Sequence, residues 1–193
     1  MRHRTPCRDA GLTLVEVIVT VALTSVVLFV IGGLFVSTFL AERIVSSSSV
    51  AASEAQVAVR SINERVSSSS GLALTAPTSG DQLLVVRSAG KDVSIVWVCT
   101  AWYYSSSTGS LYSTQAPAGS VIAAPTLDEL VHWTLVLSDV TPMGVDGIFG
   151  SSGDDVTIEF TVAAGSSPPV EISTTVARPD VATASIPGGS QCF

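Results

Sequence analysis

Charge is scarce in this chain. Charged residues make up 13% of the sequence, and Lys91 is the only lysine among nine cations. Histidine occurs twice, as His3 and His132. That shortage leaves few partners for catalysis: serines are abundant, but a nucleophilic serine needs a positioned base. No Gly-x-Ser-x-Gly, glycine-rich phosphate loop or His/Cys metal spacing is present. An enzyme is therefore not expected, and His132, between Val131 and Trp133 in an expected strand, reads as a core-edge or surface residue. The net charge of −7 argues against general nucleic-acid binding. At 47% apolar residues, the chain is too hydrophobic to be disordered.

The missing charge is missing mostly from one place. From Val17 to Ala41 there are 25 residues without a charge. As a helix this run is about 37 Å long, and a bilayer's hydrocarbon core is about 30 Å thick. The segment is long enough to span with some tilt. Residues 1–11 carry Arg2, Arg4 and Arg8 against Asp9, a net of +2, whereas residues 12–193 carry −9. A basic flank ahead of an apolar run stays in the cytoplasm. A single-pass topology follows, with the C-terminal part across the membrane.

Glu16 is the only charge between Asp9 and Glu42. An acid near the bilayer core costs about 2.5–3.5 kcal/mol on insertion scales, so such residues are usually functional and paired. A secretory signal peptide has a shorter apolar core and carries its cleavage site after it. An uncleaved anchor explains the length and charge bias, but not Glu16 or the glycine at the edge. Gly11-Leu12-Thr13-Leu14-Val15-Glu16, following a basic stretch, resembles the cleavage and methylation motif of the type IV pilin superfamily. The resemblance implies a prepilin peptidase that cuts after Gly11 and methylates the new amine of Leu12, where phenylalanine is usual. It also implies that Glu16 pairs with a neighbouring subunit's amine during assembly. The implied product is a subunit of a type IV pilus or of a related secretion or DNA-uptake pseudopilus. Its implied partners are other pilin-like subunits and the membrane assembly machinery, and its site is the cell membrane and then the filament. The rival class is an uncleaved, membrane-anchored receptor or adhesin.

Beyond residue 41 the pattern changes. Ala51, Ala55, Val59, Ile62 and Val66 recur at steps of three and four, the mark of an amphipathic helix. No proline interrupts residues 12–66, so one continuous helix is expected, with Gly32-Gly33 and the serines at 46–49 as its weak points. Ser67 to Gly71 should end it. The expected organisation is a leader at 1–11, a membrane half-helix at 12–41, an amphipathic half at 42–70 and a β-rich domain at 71–193. Strands are expected at Leu83–Arg87, Val93–Tyr104, Ser110–Thr114, Leu130–Leu137, Val156–Val162 and Val170–Val176. The fold class is α+β: a long helix packed on an antiparallel sheet. Trp102-Tyr103-Tyr104 with Thr108-Gly109-Ser110-Leu111-Tyr112 resembles a hairpin of minor pilins of the PilW and GspJ kind.

Two further features are candidates. Removal of residues 1–11 takes Cys7 away and leaves Cys99 and Cys192. Parity and an oxidising compartment favour a bridge between them over two free thiols. Asp146, Asp154 and Asp155 gather in a glycine-rich segment. They offer oxygens to calcium, but Asp and Gly are also ordinary turn residues, and no cofactor is required.

Overall fold

The computed structural model describes residues 13–89, 96–145, 147–152, 155–165, 167–177 and 192–193. The chain divides into two compact units, Met1–Ile44 and Val45–Phe193. One helix, α1 (Leu14–Ser67), runs from the first into the second. Thr13 caps its start: the Thr13 Oγ1 accepts the backbone N–H of Glu16 at 3.3 Å. Its end is closed by hydroxyls, Ser67 Oγ donating to the Asn63 carbonyl and Ser68 Oγ to that of Glu64, both at 2.7 Å. Gly32-Gly33 and the serines at 46–49 all lie within the helix.

In the second unit α1 buries Ala51, Ala55, Ala58, Ile62 and Val66, with Val59 half-buried beside them. Three alanines in that stripe leave room for strands to come close. Two antiparallel sheets receive it. The larger has the order β1 (Ser69–Thr75), β2 (Gln82–Ala89), β3 (Trp97–Ser105), β4 (Ser110–Pro117), β5 (Thr134–Leu137). The smaller is centred on β8 (Asp155–Ala164), with β9 (Ser167–Ala177) along one edge. Along the other edge lie β6 (Val140–Pro142) and β7 (Phe149–Ser152) end to end, opposite residues 160–162 and 155–158 of β8. The Glu159 N–H bridges the gap between them by donating to the Ile148 carbonyl at 2.9 Å. The expected arrangement, a long helix on an antiparallel β domain, is the one observed.

Several local expectations need correction. The β layer is two sheets and not one. Leu130–Leu137 is not a single strand: Glu129–His132 forms a 3₁₀ turn and only Thr134–Leu137 pairs with β4. That turn is set by Glu129, whose carboxylate accepts the Thr126 N–H at 2.8 Å and its hydroxyl at 3.0 Å. Strands β1, β6 and β7 were not expected. Their sequences are short or rich in Ser, Gly and Ala, so their neighbours supply the strand geometry that propensity does not.

The larger sheet is covered on both faces, which explains why β2 buries five successive residues, Gln82 to Val86. Leu84, Val86, Trp102, Tyr104 and Leu111 belong to the cluster that holds the α1 stripe and β8. Leu83, Val85, Cys99, Ala101 and Tyr103 form a second cluster. Over that second face runs the segment between β4 and β5. Ala118, Ile122, Ala124, Leu130 and Trp133 pack there, with the Trp133 ring edge-on to Tyr103 at 6.1 Å.

Candidate functional site: the apolar helix and its acid

Up to residue 44, the described apolar side chains of the helix face outward. Leu14, Ile18, Leu23, Leu28, Phe35 and Phe39 are all exposed, and Phe29 is 84% exposed. A protein does not leave a continuous apolar surface of this length in water. This is one helix long and apolar enough to cross a membrane. Its few polar side chains are already satisfied along the helix. Thr20 donates to the Glu16 carbonyl at 2.9 Å, Thr24 to Thr20 at 2.7 Å, Ser25 to Val21 at 2.8 Å, and Thr38 to Leu34 at 2.9 Å. Hydroxyls bonded this way cost little in an apolar solvent.

Glu16 is the exception. It occupies the third position of the first helical turn, where its own N–H is capped by Thr13. The helix dipole favours a negative charge there. Among the described residues its carboxylate makes no hydrogen bond and no ion pair. Sequence reasoning singled out this acid but did not see its cap, although the spacing Thr13-x-x-Glu16 is a capping-box signature. Gly11 and Leu12, the expected cleavage site and new N-terminus, lie outside the described residues.

The remaining expected residues fall in the β domain. Cys99 on β3 and Cys192 are joined by a disulfide, with Cα atoms 5.6 Å apart and a sequence separation of 93. Both are buried, in the second cluster of the sheet. The carbonyl of Cys192 also accepts the Ile122 N–H at 3.0 Å. The bridge thus binds the C-terminus to the covered face of the larger sheet. Asp155 opens β8, while Asp146 and Asp154 lie outside the described residues. Among the described residues, no group of three His, Cys, Asp or Glu side chains is placed to hold a metal. His132 is exposed, in the 3₁₀ turn.

Two polar contacts escaped sequence reasoning. Asp81, between β1 and β2, accepts from the Ser106 N–H and hydroxyl at 2.7 Å, from the Tyr103 hydroxyl at 2.8 Å, and from the Thr78 hydroxyl. Partial burial works to raise its pKa, but these hydrogen bonds outweigh burial and hold it at about 2. Burial and the neighbouring Asp81 push the Tyr103 phenol up to about 12. Gln82, buried, donates to the Phe149 carbonyl and accepts the Phe149 N–H, both at 2.8 Å. It thereby pairs the start of β2 with the start of β7, as a backbone bridge would. A side chain on Gly147, whose φ is +94°, would run into this amide. An Asp in a turn and a Gln before an apolar run carry no local signal of such roles.

No protein-family model, no curated protein and no solved structure matches this chain.

Proposed function

We propose that this protein is a pilin-like subunit, made as a membrane-inserted precursor and assembled into a type IV pilus or a related pseudopilus. One observation carries the reading: a wholly exposed apolar helix bears a lone carboxylate, Glu16, in its first turn, without a partner among the described residues. A carboxylate in apolar surroundings needs a counter-charge. The chain's own sequence offers none between Asp9 and Glu42. Cleavage after Gly11 creates an amine on Leu12, and a neighbouring subunit's amine then supplies the partner. The helix remains in the bilayer until assembly and afterwards packs against like helices. The hairpin of β3 and β4 favours a minor subunit over the major one.

Mass spectrometry of protein extracted from its native membrane tests the processing. The expected mature chain begins with methylated Leu12. Intact residues 1–11 in the presence of the peptidase would overturn the proposal and favour the anchored receptor. Glu16→Ala sharpens the test. Membrane insertion should be unchanged or improved, since a costly charge is gone, while filament incorporation should fall at least several-fold.

A further inference from the structure

The second face of the larger sheet is closed by a strap, residues 118–133, and the strap is lightly held. Among the described residues, two hydrogen bonds tie its backbone to its surroundings. The Ala118 N–H donates to the Trp97 carbonyl at 3.1 Å, where the strap leaves β4, and the Ile122 N–H donates to the Cys192 carbonyl at 3.0 Å. The bonds between Thr126 and Glu129 are internal to the strap. Its apolar side chains are divided. Ile122, Ala124, Leu130 and Trp133 pack inward, while Val121, Leu127 and Val131 are exposed. Those three large groups gain nothing from closure.

Cys192 pins this strap to the sheet. Its carbonyl holds Ile122, and its sulfur is bonded to Cys99 on β3 beneath. Cys99 is 0% exposed and Cys192 1%, both within the cluster that the strap covers. Thiol–disulfide exchange requires a thiolate to reach one of the two sulfurs. With the strap closed, no thiolate of another molecule reaches this pair. The bond therefore forms while the face is open, and it breaks only when the face reopens.

We propose that the disulfide is a one-way latch on the strap, set by a disulfide-bearing oxidant before the second face closes. One cysteine thiolate attacks the oxidant's disulfide, giving a mixed disulfide and releasing one oxidant thiolate. The other cysteine attacks the protein sulfur of that mixed disulfide, forming the Cys99–Cys192 bond and releasing the second thiolate. The protein gives up two electrons and two protons, which leave as the oxidant's dithiol. Once the bond is made, Cys192 holds Ile122 down and the closed strap shields the sulfurs from reductant. The latch belongs to the second unit alone and does not depend on the pilus reading.

Two measurements test it on the whole chain in detergent micelles, with Cys7→Ser leaving a single pair of cysteines. In the first, dithiothreitol reduces the folded protein and alkylation with mass analysis follows the bond. The rate should level off as reductant rises, because opening limits it, and should lie at least about a hundredfold below that of the urea-denatured chain. A rate that stays proportional to reductant and matches the denatured chain would overturn the proposal, since the sulfurs would be reachable under a closed strap. In the second, Cys192→Ser leaves Cys99 as a free thiol beneath the strap. With the sheet intact by circular dichroism, iodoacetamide should modify Cys99 at no less than about a tenth of the denatured rate, as an accessible thiol does. Slower labelling would show that the strap closes without its latch, and would overturn the proposal equally. If Cys192→Ser does not fold, the reduction kinetics of the natural pair decide.

Discussion

Phe29 and Phe160 are the same residue used in opposite ways. Phe29 stands in the first unit at 84% exposure, while Phe160 in β8 is 0% exposed. The described helix residues up to 44 keep their apolar groups outside and satisfy their hydroxyls internally. The β domain does the reverse, closing apolar groups into two clusters and meeting water with Ser, Thr and Asp. An exposed apolar helix surface, long enough to cross a membrane, sits on the same chain as a domain that closes its apolar groups inside.

The largest effect should come from breaking that contrast with one substitution in each half. Phe160→Ala removes an aromatic side chain from the middle of the β8 face, where Ile172 and Pro142 pair beside it. It should cost about 3–5 kcal/mol of domain stability. Phe29→Ala removes the same atoms and should leave the domain's thermal midpoint unchanged. Its effect belongs to membrane partition alone. Thermal melts of both variants in the same detergent decide the matter, and an equal loss would mean that the two regions are not energetically separate.

The contrast also marks what was legible in the sequence. The first unit could be read closely, because an uncharged run with one acid has few interpretations. In the β domain, legibility followed alternation. Val156, Ile158, Phe160 and Val162 alternate with polar residues and form β8 as expected. Strand β1, Ser-Ser-Gly-Leu-Ala-Leu-Thr, has no such signal and is a strand because β2 pairs with it from Thr75 to Ser69. Leu130 looked like part of a strand, but Glu129 turns the chain onto Thr126 just before it. The Cys99–Cys192 pair was legible from chemistry alone. The contacts of Asp81 and Gln82 were not, because their partners lie 25 and 67 residues away.

The middle effect concerns how the domain holds its C-terminus. The disulfide closes a loop with a sequence separation of 93, and restricting the unfolded chain by a loop of that size is worth about 4–5 kcal/mol in the chain-entropy model. Cys192→Ser should lower the β domain's melting temperature accordingly and open the last residues to carboxypeptidase. Cys99→Ser should lower it by a similar amount. The double variant should lose little more than either single one, since the same bond is already broken. Additive losses would show that each cysteine stabilises the domain separately. Membrane insertion of the helix should be untouched by all three.

The smallest effect is the most specific to the water-facing half. Asp81 joins the turn before β2 to the hairpin turn at Ser106 and to Tyr103 on β3, and four hydrogen bonds hold its carboxyl at about 2, below the ordinary 3.8. A carboxyl whose pKa is lower folded than unfolded adds stability when it is ionised in both states. That contribution is complete above about pH 4 and is lost as pH falls toward about 2. Because Asp81 is only partly buried, solvent screening limits the gain to about 1–2 kcal/mol. Asp81→Asn should therefore destabilise the domain at neutral pH by about that amount, and the gap from the natural protein should close between pH 4 and pH 2. Tyr103 contributes with the opposite sign. Its phenol is raised to about 12, so its share is present below pH 10 and lost as pH climbs toward 12. Tyr103→Phe removes one donor from Asp81 and should shrink the acid-side effect without abolishing it, because Ser106 and Thr78 remain. Thermal melts of the three proteins across the acid range separate these contributions. A constant gap between Asp81→Asn and the natural protein from pH 7 to pH 2 would show that the carboxylate's charge is not what ties these turns together.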